Sequence, residues 1–210
     1  QRQMCIRDRY IVDNYAVLML CKTTEEDSYK SLMVELKGNG DSVIKVINNL
    51  EKGDQNAGVK NALGVGYLRL RRFEEAKENF QKALELAQSD EDRACIFSNF
   101  SETMRYNEDI DSAKKYMEKA LKQEVKDPVK KLILQSNMEA INSLDGVNNI
   151  EKIKTLKKLL KEEKVIFGSN QFVGIFNYKT LGYVCYLDGN MKRCEYYICL
   201  LYTSDAADEL

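Results

Sequence analysis

The sequence has no histidine, no tryptophan and one proline in 210 residues. Without histidine, neither a Ser-His-Asp triad nor a Cys-His pair can be assembled, and a mixed zinc site loses its nitrogen ligand. The six cysteines never fall at Cys-x-x-Cys spacing, so neither a zinc knuckle nor a redox motif is written in them. Long apolar runs are missing too. The longest early one, Ala16 to Cys21, is far short of the roughly 20 residues that span a bilayer. Gly58, Gly64 and Gly66 lie inside a helical pattern and lack the Lys-Ser/Thr continuation of a phosphate loop. Scarce proline removes the main helix breaker, and the chain is rich in Leu, Lys, Glu and Ala, a composition that suits a helical protein.

The two ends are set aside first. The DNA string TGTCTCTTATACACATCTGACGCTG translates to the residues Cys199 to Ala206, and its reverse complement translates to Gln1 to Asp8. One element in both orientations is similar to the adapter of a transposase-based sequencing library. Residues 1–9 and 199–210 are therefore expected to be scars, with 10–198 a fragment of a longer protein. This takes three basic and four acidic residues from totals of 32 and 33, leaving 29 of each. A balanced surface has no global field to draw in nucleic acid or an anionic membrane. The remaining cysteines, Cys21, Cys95, Cys185 and Cys194, read as small buried residues of a protein in a reducing compartment, the cytoplasm.

Within the body the signal is helical period broken by short polar turns. From Val59 to Ala87 the apolar residues fit two amphipathic helices that meet near Arg71 and Arg72. The second, Phe73 to Leu86, is filled with strong helix formers. In this stretch Leu63, Gly64, Tyr67, Ala76, Phe80 and Ala83 match in type and spacing the signature of the tetratricopeptide repeat, which the segment resembles. That family builds each repeat of about 34 residues as a helix-turn-helix. The small residues let paired helices approach closely, and the aromatic ones fill the space between turns.

The pattern recurs with drift. Asp109 to Leu121 repeats the second helix, with Ala113 and Ala120 standing for Ala76 and Ala83; its first helix, Asp90 to Tyr106, carries Ser101 where the glycine belongs and Met104 where the tyrosine belongs. Near the end Leu181, Gly182 and Cys185 stand for Leu63, Gly64 and Tyr67, and Cys194 for Ala76. Between them lies a longer unit. Asp127-Pro128 opens a helix carrying Leu132, Ile133, Met138, Ile141 and Leu144, a break follows at Asp145-Gly146, and Ile150, Ile153, Leu156, Leu159 and Leu160 mark the next. This unit and the last resemble kinesin-light-chain-type repeats. Upstream, Thr23-x-x-Glu26 reads as a capping box, Gly38-Asn39-Gly40 as a turn, and Asp41 as the cap of a helix closed by Gly53. The expected units are about 23–53, 57–89, 90–124, 127–167 and 170–198. The implied fold is all-α, a right-handed α-solenoid of stacked antiparallel helix pairs.

Little in the chain suggests chemistry. The acidic pairs Glu74-Glu75 and Glu162-Glu163 are adjacent, point in different directions on a helix and read as solvated faces. The stretch Lys152 to Lys164 is amphipathic, yet its glutamates dilute its charge. No catalytic, cofactor or metal residue is expected, and the chain is not read as an enzyme. The resemblance implies instead a non-catalytic scaffold that binds a protein or peptide, without nucleic acid or membrane. The alternative is the sensor region of a bacterial regulator whose ATPase or DNA-binding domain lies elsewhere. In this family the exposed face of each first helix lines a groove, which here would hold Asn61, Val65, Leu68 and Arg69, then Ser98, Glu102, Arg105 and Tyr106, then Lys179, Tyr183 and Tyr186. The family's carboxylate clamp needs a lysine and an asparagine on successive turns. None of Asn61 with Val65, Ser98 with Glu102, or Lys179 with Tyr183 supplies it, which disfavours a chaperone co-factor.

Overall fold

A computed structural model describes residues 40–52, 55–167 and 177–206. In chain order these form α1 (Gly40–Lys52), α2 (Ala57–Arg69), α3 (Phe73–Leu86), α4 (Asp90–Tyr106), α5 (Ile110–Leu121), α6 (Pro128–Asn142), a 3-10 turn (Ser143–Asp145), α7 (Asn149–Phe167), α8 (Tyr178–Leu187) and α9 (Met191–Ala206). Among the described residues every element is helical, and no helix is long and apolar enough to cross a membrane. The capping box at Thr23 to Glu26 and the closing Gly53 lie outside the described residues. α1 begins at Gly40, one residue before the expected cap Asp41.

The chain divides into two compact units, Gln1–Lys126 and Asp127–Leu210. In the first, α2 pairs with α3 and α4 with α5, while α1 packs on α2 and α3 on α4. Polar residues set the starts: Asn56 accepts from the Val59 amide at 2.9 Å, Ser89 from that of Asp92 at 3.0 Å, and Asp109 from that of Ser112 at 3.0 Å. The two turns are built bond for bond alike. Leu70, Arg71 and Arg72 donate backbone hydrogen bonds to Gly66, Leu68 and Tyr67, and Asn107, Glu108 and Asp109 donate to Thr103, Arg105 and Met104. Each turn bends through a left-handed residue, Arg71 at φ 58° and Glu108 at φ 63°.

The hairpins are closed by different contacts. A Cβ on Gly64 would lie 2.5 Å from the ring of Phe80, which is fully buried, so the glycine is what lets α2 and α3 meet. In the next hairpin the Ser101 hydroxyl donates to the Ala113 carbonyl at 2.6 Å, and Met117 fills the place of Phe80. A serine at the glycine position is thus satisfied rather than merely tolerated. Ala76, Ala83, Ala113 and Ala120 are all fully buried. Between the hairpins Phe80 lies 5.9 Å from Phe100, which stacks on Tyr116 at 4.1 Å. The first helices of the two hairpins also touch, and there the buried Asn99 donates its side-chain amide to Asn61 at 3.0 Å.

In the second unit Asp127 caps α6, accepting from the Val129 amide at 2.8 Å, with Pro128 in the first turn. Leu132, Ile133 and Ile141 are buried in α6, and Ile153, Leu156 and Leu159 in α7. Leu144 and Ile150, expected with this core, are exposed by 37% and 68%; Leu144 falls in the 3-10 turn beyond the end of α6, and Ile150 in the first turn of α7. Gly146 at φ 67° and Asn148 at φ 55° carry the bend. The α8–α9 turn repeats the bonds of the first unit, with Asp188, Gly189 and Asn190 donating to Val184, Tyr186 and Cys185. Here glycine takes the left-handed position, at φ 73°. A Cβ on Gly182 would lie 2.9 Å from Ile198. Glu163, read as solvated, is buried at 0% exposure and accepts from the Asn177 side chain at 2.9 Å. One residue further along α7 points inward where its neighbour Glu162 does not.

Candidate groove and cleft

The groove positions come from three first helices, α2 and α4 in the first unit and α8 in the second. On α2, Asn61, Val65 and Leu68 are buried, at 4%, 0% and 5% exposure, and on α4 Ser98 is buried at 1%. The expectation of an exposed face is corrected at these four residues. α2 is buried from Val59 through Leu68 except at Lys60, since α1, α3 and α4 all pack against it, and Asn61 is spent on the bond to Asn99.

The remaining groove residues of the first unit are half-buried. Arg105 grips Glu102 with two nitrogens, Nε at 2.8 Å to Oε2 and Nη2 to Oε1, and its guanidinium lies 4.5 Å over the Tyr106 ring. A bidentate pair of this kind holds the guanidinium in one orientation. Arg69 is different, since its Nε is buried with no hydrogen-bond acceptor. In the second unit, Tyr183 and Tyr186 are exposed by 40% and 57% on α8, one turn apart, with half-buried Lys179 a turn before them. By turn register Tyr183 and Tyr186 stand where α2 has Val65 and Leu68. The same two positions are sealed on α2 and open on α8.

The cysteines are all free thiols among the described residues, Cys95 and Cys185 buried, Cys194 partly so and Cys199 exposed. Burial pushes the Cys185 thiol above its ordinary pKa, with Arg193 opposing and Cys194 adding, the condition of an inert packing residue.

A second feature was not anticipated. Where α6 turns into α7, a cleft of about 420 Å³ is lined by Glu139, Asn142, Asp145, Val147, Glu151 and Lys152, among others. Lys152 bonds Asp145. Burial raises the Glu139 pKa above the glutamate range, offset in part by a hydrogen bond from Asn142 and by the charge of Lys152. Val147 of the lining is 56% exposed, Leu144 and Ile150, next in sequence to the lining residues Asp145 and Glu151, are 37% and 68% exposed, and Leu187, 36% exposed, lies against Gly146. The sequence carried a hint of it: three carboxylates bracket the glycine break, which registers as a turn signal before it registers as a surface.

Comparison with known proteins agrees with the geometry of the hairpins. The family model described as tetratricopeptide repeat matches residues 56–123. No curated protein matches the chain. Among solved structures, MamA is similar with a TM-score of 0.51 at 14% identity, over 89% of this chain and 98% of that one. A putative kinesin light chain from Podosopora anserina, with nearly identical TPR-like repeats, is similar with a TM-score of 0.52 at 11% identity, over 94% of this chain and 97% of that one. At such identities the likeness speaks for the fold alone.

Proposed function

We propose that this chain, whose residues 56–123 are tetratricopeptide repeats, is a non-catalytic scaffold that binds a protein or peptide through the exposed faces of its first helices. The observation that carries this reading is the pair Tyr183 and Tyr186, exposed on α8 at positions that α2 fills with buried aliphatic residues. Tyrosine anchors binding because it buries a large rigid ring and keeps a polar tip at little entropic cost. Lys179, a turn before the rings, favours a ligand that brings carboxylates or carbonyls together with apolar side chains.

The test is a peptide-library selection on residues 10–198, followed by Tyr183→Ala, Tyr186→Ala and Arg105→Ala. Loss of a buried aromatic anchor costs more than about 2 kcal/mol, or over tenfold in affinity. Arg105, already committed to Glu102, should matter less than the tyrosines. If selected peptides bind all three variants as well as the parent, the first-helix faces are not the binding surface.

A further inference from the structure

We infer that the cleft between α6 and α7 is a second docking surface, for a segment of a partner protein that presents a basic side chain flanked by apolar ones. The surface lies on α6, the turn after it and α7, meets α8 only at its last residue Leu187, and does not require the tyrosines of α8. Two properties point to this occupant. The first is charge: Glu139, Asp145 and Glu151 line the cleft against the single cation Lys152, so the cleft is negative after Lys152 has bonded Asp145. Glu151 finds Lys154 at 3.3 Å, but both side chains are about 70% exposed, where such a pair is screened and weak.

The second property is the apolar rim. Val147 lines the cleft and is 56% exposed, Leu144 and Ile150 precede the lining residues Asp145 and Glu151 in sequence and are 37% and 68% exposed, and Leu187, 36% exposed, lies against Gly146. Single exposed apolar residues are ordinary, whereas several gathered round one cleft mark an interaction site. A guanidinium entering beside Glu139 relieves a carboxylate whose ionised form burial disfavours, and apolar neighbours of that arginine cover the rim. An acidic segment meets repulsion at the same place. The chemistry therefore selects one sign of partner.

The experiment is an amide chemical-shift titration of the full chain with an acetylated Gly-Leu-Arg-Leu-Leu-Arg-Gly peptide, and with its counterpart carrying glutamate for arginine. The arginine peptide is expected to give saturable shifts confined to residues 139–155 and Leu187. Its affinity should fall about tenfold in the double variant Glu139→Gln, Glu151→Gln and in Ile150→Ser, and should weaken as salt rises. Glutamine keeps the shape of both side chains and one acceptor oxygen, and Ile150 is exposed, so circular dichroism should confirm that each variant folds. The inference is overturned if the arginine peptide gives no saturable shift, if the glutamate peptide shifts the same amides equally, or if the variants bind unchanged. A glutamate peptide that shifts the α8 amides while the arginine peptide shifts none in the cleft would overturn it and leave the function proposed for the tyrosine face standing.

Discussion

Gly64 sits where two opposing terms can be weighed. Alanine at a helical glycine normally gains up to about 1 kcal/mol from backbone entropy. Here the new Cβ would stand 2.5 Å from a buried Phe80 ring, an overpacking that costs about 1 to 3 kcal/mol. The second term wins, so Gly64→Ala should lower stability in urea unfolding, and a stabilised variant would refute the close contact. Glu108 reverses the balance. It is exposed at φ 63° in the turn where the last hairpin uses Gly189, and a non-glycine residue pays about 1 to 2 kcal/mol in that region. Glu108→Gly should raise stability by up to about 1 kcal/mol, read by the same unfolding curve. The signature residues were legible from the sequence because each obeys a local size rule. The Ser101 bond to the Ala113 carbonyl was not, since a serine that replaces glycine reads as a defect until its acceptor is seen.

At the scale of elements, caps and turns were the easiest features to read. Asp127 before Pro128 specified the start of α6, and Asp127→Ala should cost about 1 kcal/mol in the unfolding of the second unit; no change would mean the cap bond is not formed in solution. Faces were harder. The burial of α2 on nearly every side and of Glu163 on α7 depends on what neighbouring helices do, which helical period does not encode. Glu139 offers a pH test. Burial raises its folded pKa above the unfolded value, so its contribution is most favourable below the unfolded value and is lost as pH rises through the folded one. Glu139→Gln should flatten the stability profile just above the ordinary glutamate range and leave the protein more stable at neutral pH. An unchanged profile would show that Asn142 and Lys152 already offset the burial.

For the molecule as a whole, the division at Lys126 and Asp127 has a direct consequence. Repeat proteins derive stability from each repeat and its nearest neighbours, so pieces 1–126 and 127–210 should each remain helical when made separately. Far-UV circular dichroism spectra that sum to that of the whole chain would bear this out, and an unfolded piece would contradict it. The all-α repeat class was legible because the turn spacing is long-range and regular. The candidate groove was only partly so: register placed Tyr183 and Tyr186 at matching positions, but their exposure depends on which helices pack over them.

The bond between Asn61 and Asn99 works as an address. By turn register the place of Asn99 is held by Ala62 on α2 and by Thr180 on α8, so neither of the two other first helices that share this turn returns the same amide. A chain that stacked its hairpins out of order would bury Asn61 without that partner, at about 1 to 3 kcal/mol for each group left unsatisfied. Near-identical repeats are prone to swapping and misassembly during folding. Here one buried amide pair distinguishes the right neighbour from the wrong one, so reshuffling these hairpins by design would produce a mixture of stacking orders unless the pair travelled with them.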